Sequence, residues 1–331
     1  MQYAITTKGL AVMGSRPLTA IPTCVSQCLQ LAILLEVSAY PKPGNVHRTA
    51  NFDETRYEHF LASAVAVYPH FTHIAQRGVN VVQGKIGINQ IGVGDTVKSA
   101  VSEVALWQRD KNTLLGSIIL LSPMAAAAGL TLAKNGRITV DAFRNHLVSV
   151  VESTTSKDAV DVYDAIEMAR PGGLGKAPIL DVKDSKSRQR ILSQDTSLYE
   201  VFKISSPWDS ISAEWVNRFH ITFDIGYPHF KHEIKETGDV NTASVHTFLK
   251  ILSAVPDTLI ARKAGEAKAK WASEEARKVL DEGGLATEKG SRRLLRLDRQ
   301  LHDASHRLNP GATADIISAV LAVAILEGYR P

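Results

Sequence analysis

A short segment in the first fifty residues brings an acid, a base and a glycine close together in the chain. Residues 36–48 read EVSAYPKPGNVHR, so Glu36 stands shortly before Lys42, Gly44 and Asn45. A helix cannot continue through two prolines spaced by one residue, so the apolar run that leads into this segment must stop here. A lysine on a stiff loop, next to a glycine backbone that a ligand can approach closely, is suited to binding phosphate.

Four further clusters place glycine, amide or hydroxyl residues at a break next to a predicted helix. They read KNTLLG at 111–116, RPGGLG at 170–175, GDVNT at 238–242 and NPGATAD at 309–315. Three of them open helices, where unpaired N–H groups and the positive end of the helix dipole favour anionic oxygens. Together with the first segment they supply the predicted ligand-binding residues, which are Lys42, Gly44, Asn45, Asn112, Thr113, Gly116, Arg170, Gly172, Gly173, Asn241, Thr242, Asn309 and Gly311.

Helix capping is the competing explanation for each cluster, because Asp239 and Asp315 stand where an acid stabilises a helix start by about 0.5–1 kcal/mol. Five clusters in one chain, with basic residues beside three of them, favour a ligand site instead. Neither a GxxxxGK(S/T) phosphate loop nor a dinucleotide fingerprint is present. The stretch 261–307 holds 12 Lys and Arg against 8 Asp and Glu, which fits a solvated helix pair or one wall of a polyphosphate site.

Histidine is plentiful, with 11 residues, but its spacing does not resemble that of a metal site. His229 and His232 are three residues apart, and His302 and His306 are four apart on one helical face. A zinc site needs a further ligand at a characteristic spacing, and the sequence offers none. We therefore predict ordinary surface or core histidines.

The composition is that of a helical globular protein. Of the 331 residues, 44% are hydrophobic and only 6% are aromatic, and alanine is frequent, which favours closely packed helices. The net charge of +4 suits an anionic small molecule and does not require nucleic acid as a partner. Cys24 and Cys28 form neither a disulfide framework nor a zinc site, which favours a reducing cytoplasm.

Hydrophobic spacing and helix stop signals divide most of the chain into helices. We predict an amino-terminal extension over 1–22 and a single all-α domain over 23–331, because no linker or repeat is visible. The glycine-rich stretch 78–95 and the polar stretch 181–197 are predicted to be loops, the second of them mobile. Only short runs such as HITF at 220–223 look β-like. The predicted helices are 23–38, 54–76 with a bend at Pro69, 95–109, two helices capped by Thr139 and Ser156, 244–263, 265–281, 288–307 and 313–327.

The stretch 113–133 contains no charge and is long enough to span a bilayer. Pro123 near its middle, two serines and two glycines favour a buried pair of core helices instead. Helices that are apolar all round also occur in the cores of large soluble proteins. We therefore predict a bundle-like domain with a buried central helix pair and no membrane partner.

The segments EVSAYPKPGNV, NTLLG, DVNT and NPGATAD, in this order and over roughly residues 25–328, resemble the triphosphoribosyl-dephospho-CoA synthase family. Leu114 and Leu115 stand where bacterial members tend to have His-Lys, and the chain looks more like the archaeal-type branch. The resemblance implies an all-α fold and a transferase reaction. In that reaction the 5-triphosphoribosyl group of ATP moves to the ribose 2′-hydroxyl of 3′-dephospho-CoA, or of a related acceptor, and adenine is released.

Such a reaction passes through an oxocarbenium-like state. It needs a proton donor for the leaving base, an acceptor for the hydroxyl proton and cations for the triphosphate. The resemblance makes Glu36, Asp239 and Asp315 the predicted catalytic carboxylates. We also predict that Glu36 and Asp239 share one Mg²⁺ with the triphosphate, with simple solvent exposure as the alternative. Lys42→Ala is expected to weaken ATP binding with little change in melting temperature.

Two other functions stay open at this stage. A different ATP-dependent transferase of cofactor biosynthesis could use the same site for phosphoryl or nucleotidyl transfer. A non-catalytic helical regulatory protein could bind a nucleotide without turnover. Release of free adenine from ATP separates the first reaction from both. The sequence leaves a homodimer open.

Overall fold

The structure, a computed structural model, describes residues 17–108, 113–175, 177–303 and 306–331. These ranges fold into helices joined by turns and contain no β-strand, which confirms the all-α prediction. Their α-helices are α1 (Ile21–Ser38), α2 (Tyr57–Ala66), α3 (Tyr68–Val82), α4 (Val93–Trp107), α5 (Leu115–Asn135), α6 (Val140–Glu152), α7 (Ser156–Ala169), α8 (Ser185–Ser193), α9 (Leu198–Ser205), α10 (Ser210–Val216), α11 (Tyr227–Thr237), α12 (Val240–Ala254), α13 (Thr258–Ala264), α14 (Glu266–Asp281), α15 (Glu288–Leu301) and α16 (Gly311–Glu327).

Helices α5 and α16 are the buried central pair, and α1 packs against both of them. The uncharged stretch forms one continuous helix with Pro123 inside it, so the second member of the pair is α16 and not half of the same stretch. A proline removes one backbone hydrogen bond, and close packing around α5 keeps the helix continuous despite this loss. The pair places the amino-terminal ends of α5 and α16 next to the end of α1.

The backbones of α3 and α5 are in direct contact. Gly78 of α3 faces α5, and Gly129 of α5 faces α3. A Cβ atom on Gly78 would stand 2.0 Å from the Ala126 carbonyl oxygen, and one on Gly129 would stand 2.1 Å from the Ala75 carbonyl oxygen. No other residue type fits such an approach without moving a helix. This contact fixes α5 within the domain.

Two helices, Leu18–Ser38 and Leu115–Asn135, are long and apolar enough to cross a membrane by length and composition alone. The apolar window of Leu115–Asn135 is 89% buried by other parts of the chain. Such burial is typical of the core helix of a folded domain.

Several predicted boundaries differ from the structure. The stretch 181–197 is not a loop throughout, since α8 occupies its middle with Asp184 as the amino-terminal cap and Ile191 buried. The run at 220–223 is not β-like either, because it belongs to a π-helical segment, Ile221–Gly226. Glu214 accepts hydrogen bonds from the first two N–H groups of that segment, at 2.7 and 2.9 Å.

Other differences follow from local signals. The predicted helix 54–76 divides into α2 and α3 at Val67, and the helix predicted from Ser156 is capped by Thr155. The predicted helix 244–263 divides into α12 and α13, because the residue that precedes a proline is disfavoured in helical conformation and Pro256 follows α12.

Candidate active site

A cavity of about 1000 Å³ opens where the loop after α1, the starts of α5 and α16, helix α13 and the segments 170–175 and 177–183 meet. Ten of the predicted site residues line it, from all but one of the five sequence clusters. They are Glu36, Lys42, Asn45, Thr113, Gly116, Arg170, Gly172, Asn309, Gly311 and Asp315. Asn112 lies outside the described residues.

Glu36 and Lys42 form a buried ion pair in the cavity wall. The Lys42 ammonium donates to the Glu36 carboxylate and also, at 3.1 Å, to the Glu36 backbone carbonyl. Both residues are almost fully shielded from solvent. Burial raises the pKa of Glu36, and the charge and hydrogen bond of Lys42 oppose that rise. The loop that begins with two prolines thus folds back onto the end of α1.

Asp315 faces the cavity from the first turns of α16 and lies against the start of α5. The Ser117 hydroxyl donates to its Oδ1 atom at 2.6 Å, and a Cβ atom on Gly116 would stand 2.1 Å from its Oδ2 atom. Removal from bulk water raises the pKa of Asp315 to about 7, with a smaller contribution from the charge of Glu36 and opposition from the Ser117 hydrogen bond. A carboxyl group with this pKa can accept or donate a proton near neutral pH.

Asp257 connects the start of α13 to the start of α16 and was missed by the sequence analysis. Its Oδ1 atom accepts from the N–H groups of Leu259 at 2.8 Å and Ile260 at 3.1 Å. Its Oδ2 atom accepts from the N–H and the hydroxyl of Thr313, each at 2.8 Å. One buried carboxylate therefore caps both α13 and α16. The Pro-Asp-Thr sequence at 256–258 is a start signal that the prediction of one continuous helix concealed.

A group of basic side chains also lines the cavity and includes Arg170, Lys183, Arg262 and Lys263. Arg262 pairs with Asp209 at 2.5 Å, and burial lowers the pKa of Lys263. Gly172 allows the turn after α7 to pack on Lys263, since its Cβ atom would stand 3.2 Å from Lys263 Cε. This basic wall is suited to a polyanionic group.

Only the first part of the basic stretch 261–307 belongs to that wall. The charged side chains of α14 and α15 instead pair with each other at the surface, as Arg293 does with Glu275 at 3.2 Å and with Glu282 at 2.9 Å. The solvated-helix explanation therefore holds for most of the stretch.

The sequence profile of one protein family, described as ATP:dephospho-CoA triphosphoribosyl transferase, matches residues 22–331. The chain belongs to this family. Two Pseudomonas fluorescens proteins, of strains Pf-5 and Pf0-1, are named as probable 2-(5''-triphosphoribosyl)-3'-dephosphocoenzyme-A synthases. Each is 25% identical to the chain over 299 residues, and the match covers 89% of this chain and 89% of each relative.

A solved structure shares the fold of this transferase. It is the crystal structure of an Archaeoglobus fulgidus protein named "putative triphosphoribosyl-dephospho-coA synthase", and it superposes with a TM-score of 0.60. The match has 24% sequence identity and covers 82% of this chain and 100% of the other.

Asp239 and Thr242 of the transferase do not line the cavity. Asp239 is exposed and caps α12, with its Oδ2 atom accepting from the Thr242 N–H at 2.8 Å and the Thr242 hydroxyl at 2.7 Å. The Thr242 hydrogen bonds lower the pKa of Asp239. Capping thus accounts for both residues, and the structure does not bring Asp239 into the cavity that Glu36 lines. The shared Mg²⁺ stays a prediction without support from the geometry.

Three more predicted residues support the cavity from outside. Asn241 holds the backbone of Tyr40, accepting from its N–H at 2.8 Å and donating to its carbonyl at 2.7 Å. Gly44 has a positive φ of 72°, and its N–H donates to Asp298 at 3.0 Å. Gly173 packs beside Lys263 behind the basic wall. These contacts position the loops of the transferase that carry Lys42 and Gly172.

Two buried polar atoms at the cavity lack a partner within the described part of the chain. They are Asn309 Oδ1 and His306 Nδ1, and both side chains line the cavity. A buried polar atom without a hydrogen bond is costly, so each is suited to contact a ligand.

Proposed function

We propose that this cavity binds ATP with its triphosphate on the basic wall and that Asp315 accepts the proton of the attacking hydroxyl group. The observation that carries the proposal is that Asp315, with a pKa of about 7, lines the same cavity as five basic side chains. A general base works best when its pKa is near the working pH. Transfer of a ribosyl group to a hydroxyl oxygen releases the hydroxyl proton, which such a group can accept.

The bond changes define the proposed roles. The acceptor hydroxyl oxygen bonds to the ribose C1′ atom while the C1′–N bond to adenine breaks, and the bonding electrons leave with the base. Asp315 takes the hydroxyl proton, and the departing adenine takes up one proton from solvent water, so that protonated Asp315 returns its proton to solvent before the next turnover. Arg262 and Lys263 of the basic wall neutralise the triphosphate, joined by Lys42 once its ammonium group leaves Glu36, and this keeps the reacting ribose in place.

The acceptor is proposed to lie along the apolar part of the same cavity. Helix α9 and the segment before α8 contribute apolar side chains there, including Ile179, Leu180, Val201 and Phe202. The pantetheine arm of dephospho-CoA is long and mostly uncharged, so it fits an apolar channel with few polar groups. Burial of this arm would orient the ribose hydroxyl towards Asp315.

Magnesium is proposed to enter together with the triphosphate. Mg²⁺ prefers one or two carboxylates combined with phosphate oxygens and water. Asp53 fits this role, because it is exposed, lines the cavity and has no ion pair among the described residues. Glu36 can do so only when Lys42 moves towards the phosphates. ATP titrations with and without Mg²⁺, in the wild-type chain and in Asp53→Asn, test this proposal.

The deciding experiment incubates the full chain with ATP, Mg²⁺ and dephospho-CoA and follows products by mass spectrometry. We expect free adenine and an acceptor heavier by one triphosphoribosyl group. Asp315→Asn should lose at least a hundredfold in turnover at pH 7.5 while still binding ATP. Binding of ATP without adenine release would contradict the proposal and support a nucleotide-binding protein. A cytoplasmic location and a homodimer remain predictions.

A further inference from the structure

A cluster of two histidines and one aspartate lies behind the loop that carries Lys42. His47, Asp298 and His302 each offer one nitrogen or oxygen atom, and these atoms all lie within 4.8 Å of one another. It is the single group of three or more metal-binding side chains found in the described ranges. None of the three lines the cavity.

The distance between His47 and Asp298 fits two ligands of one ion better than a hydrogen bond. His47 Nε2 lies 3.5 Å from Asp298 Oδ2, whereas N–H···O hydrogen bonds usually span about 2.7–3.2 Å. Two atoms bound tetrahedrally to one Zn²⁺ at about 2.0–2.1 Å stand about 3.4 Å apart. His47 is 1% exposed, and its Nε2 atom has no hydrogen-bond partner in the part of the chain that is described.

The other atoms of the three side chains have the partners that metal ligands usually have. His302 Nδ1 donates to the Asp298 backbone oxygen at 3.1 Å, and its buried Nε2 atom, which has no hydrogen-bond partner among the residues that the structure describes, is the nitrogen assigned to the ion. His47 Nδ1 lies 3.2 Å from the Thr49 hydroxyl, and Asp298 Oδ1 accepts from the Gly44 N–H at 3.0 Å. Metal-bound histidines commonly donate their second N–H in this way, and bound carboxylates are themselves hydrogen-bonded.

A metal-free network is the alternative. The Thr49 N–H approaches His47 Nδ1 at 3.3 Å, which favours the tautomer that carries its proton on Nε2 and points it at Asp298. His302 Nδ1 also lies 3.0 Å from Asp298 Oδ1, as an ion pair would. These contacts hold the cluster together without an ion, so the two explanations differ in a measurable property, the binding of one metal ion per chain.

We propose that His47, Asp298 and His302 bind one divalent transition-metal ion, with Zn²⁺ the best match to two imidazoles and one carboxylate. The ion would join the loop after α1 to the end of α15. Since Lys42 belongs to that loop, the ion acts as a positioning element for the cavity and does not contact the substrates. The inference does not depend on the reaction proposed above.

The test uses the purified full-length chain, stripped with a chelator and then titrated with Zn²⁺ and with Co²⁺. We expect one ion per chain. His302→Gln and Asp298→Asn should bind at least tenfold more weakly, because each loses a ligand. His73→Gln changes an exposed histidine on α3 and serves as the matched control, with unchanged affinity. Equal affinity in all four proteins, or no bound ion in the wild-type chain, would overturn the proposal.

A second measurement needs no variant and so does not depend on how a variant folds. Proton NMR of the Co²⁺-loaded wild-type chain should show two strongly shifted, exchangeable signals, one from the Nδ1–H group of each histidine. Fewer than two such signals would exclude a site made from both imidazoles.

Discussion

At the scale of single residues, Asp315 combines a functional property with a cost in stability. Its pKa is raised from 3.8 to about 7 in the folded chain. A carboxyl group with a raised pKa stabilises the fold in its protonated form, so this stability is complete below about pH 4 and is lost as the pH rises through 7. The charged form that accepts a proton is therefore the form that the fold tolerates least.

Asp315→Asn should consequently be more stable than the wild-type chain above pH 7 and similar to it near pH 4. The difference can reach about 4 kcal/mol in the free energy of unfolding, since one pKa unit corresponds to about 1.4 kcal/mol. Urea unfolding at pH 4.5 and pH 8 measures it. Parallel pH profiles of the two proteins would show that Asp315 does not titrate in this range.

The Glu36–Lys42 pair changes what is expected of Lys42. From the sequence, Lys42→Ala was expected to leave the melting temperature nearly unchanged, but the structure places the ammonium group in a buried ion pair. Removal of one member of a buried pair costs about 3 kcal/mol, because its partner is left without compensation. The double variant Glu36→Gln/Lys42→Met should regain most of this stability and still bind ATP weakly. Recovery of ATP affinity in the double variant would exclude Lys42 from triphosphate binding.

At the scale of secondary-structure elements, Asp257 makes two helix starts depend on one side chain. Asp257→Ala removes both caps and should reduce the free energy of unfolding by about 2–4 kcal/mol, or about 1–2 kcal/mol for each helix. ATP affinity should fall as well, because α13 carries Arg262 and Lys263. Chemical unfolding and calorimetry measure the two effects.

The matched control is Asp239→Ala, which removes a single exposed cap from α12. It should cost about 1 kcal/mol and leave ATP affinity unchanged. If Asp239→Ala weakened ATP binding more than Asp257→Ala does, Asp239 would have to belong to the ATP site.

The end of α1, the core helix α5 and the anion-suited helix starts could be predicted from the sequence, because prolines, uncharged runs and capping residues act locally. Helix α8 could not, since few apolar side chains mark its buried face. The cap from Asp257 to Thr313 and the cluster of His47 with Asp298 join residues far apart in the chain. No local sequence pattern indicates such contacts, because only the packing of the helices brings these residues together.

At the scale of the whole molecule, the contact between α3 and α5 determines where the core helix lies. Alanine in place of a helical glycine usually stabilises a protein by about 1 kcal/mol. Gly129→Ala should do the opposite and destabilise the domain by about 1–3 kcal/mol, because the new methyl group would stand 2.1 Å from the Ala75 carbonyl oxygen. A thermal unfolding curve gives the sign directly, and a raised melting temperature would contradict the close packing of the two helices.

The close approach of Asp315 to Gly116 restricts which residues can occur together at these two positions during evolution. A side chain at position 116 and the carboxylate at position 315 compete for the same space, since a Cβ atom on Gly116 would stand 2.1 Å from the Asp315 Oδ2 atom. A lineage that keeps the acid must keep the glycine, and a lineage that loses the acid is released from this restriction. Among related genes, the two positions should therefore vary together, and an alanine at 116 should mark copies that have given up proton transfer at 315.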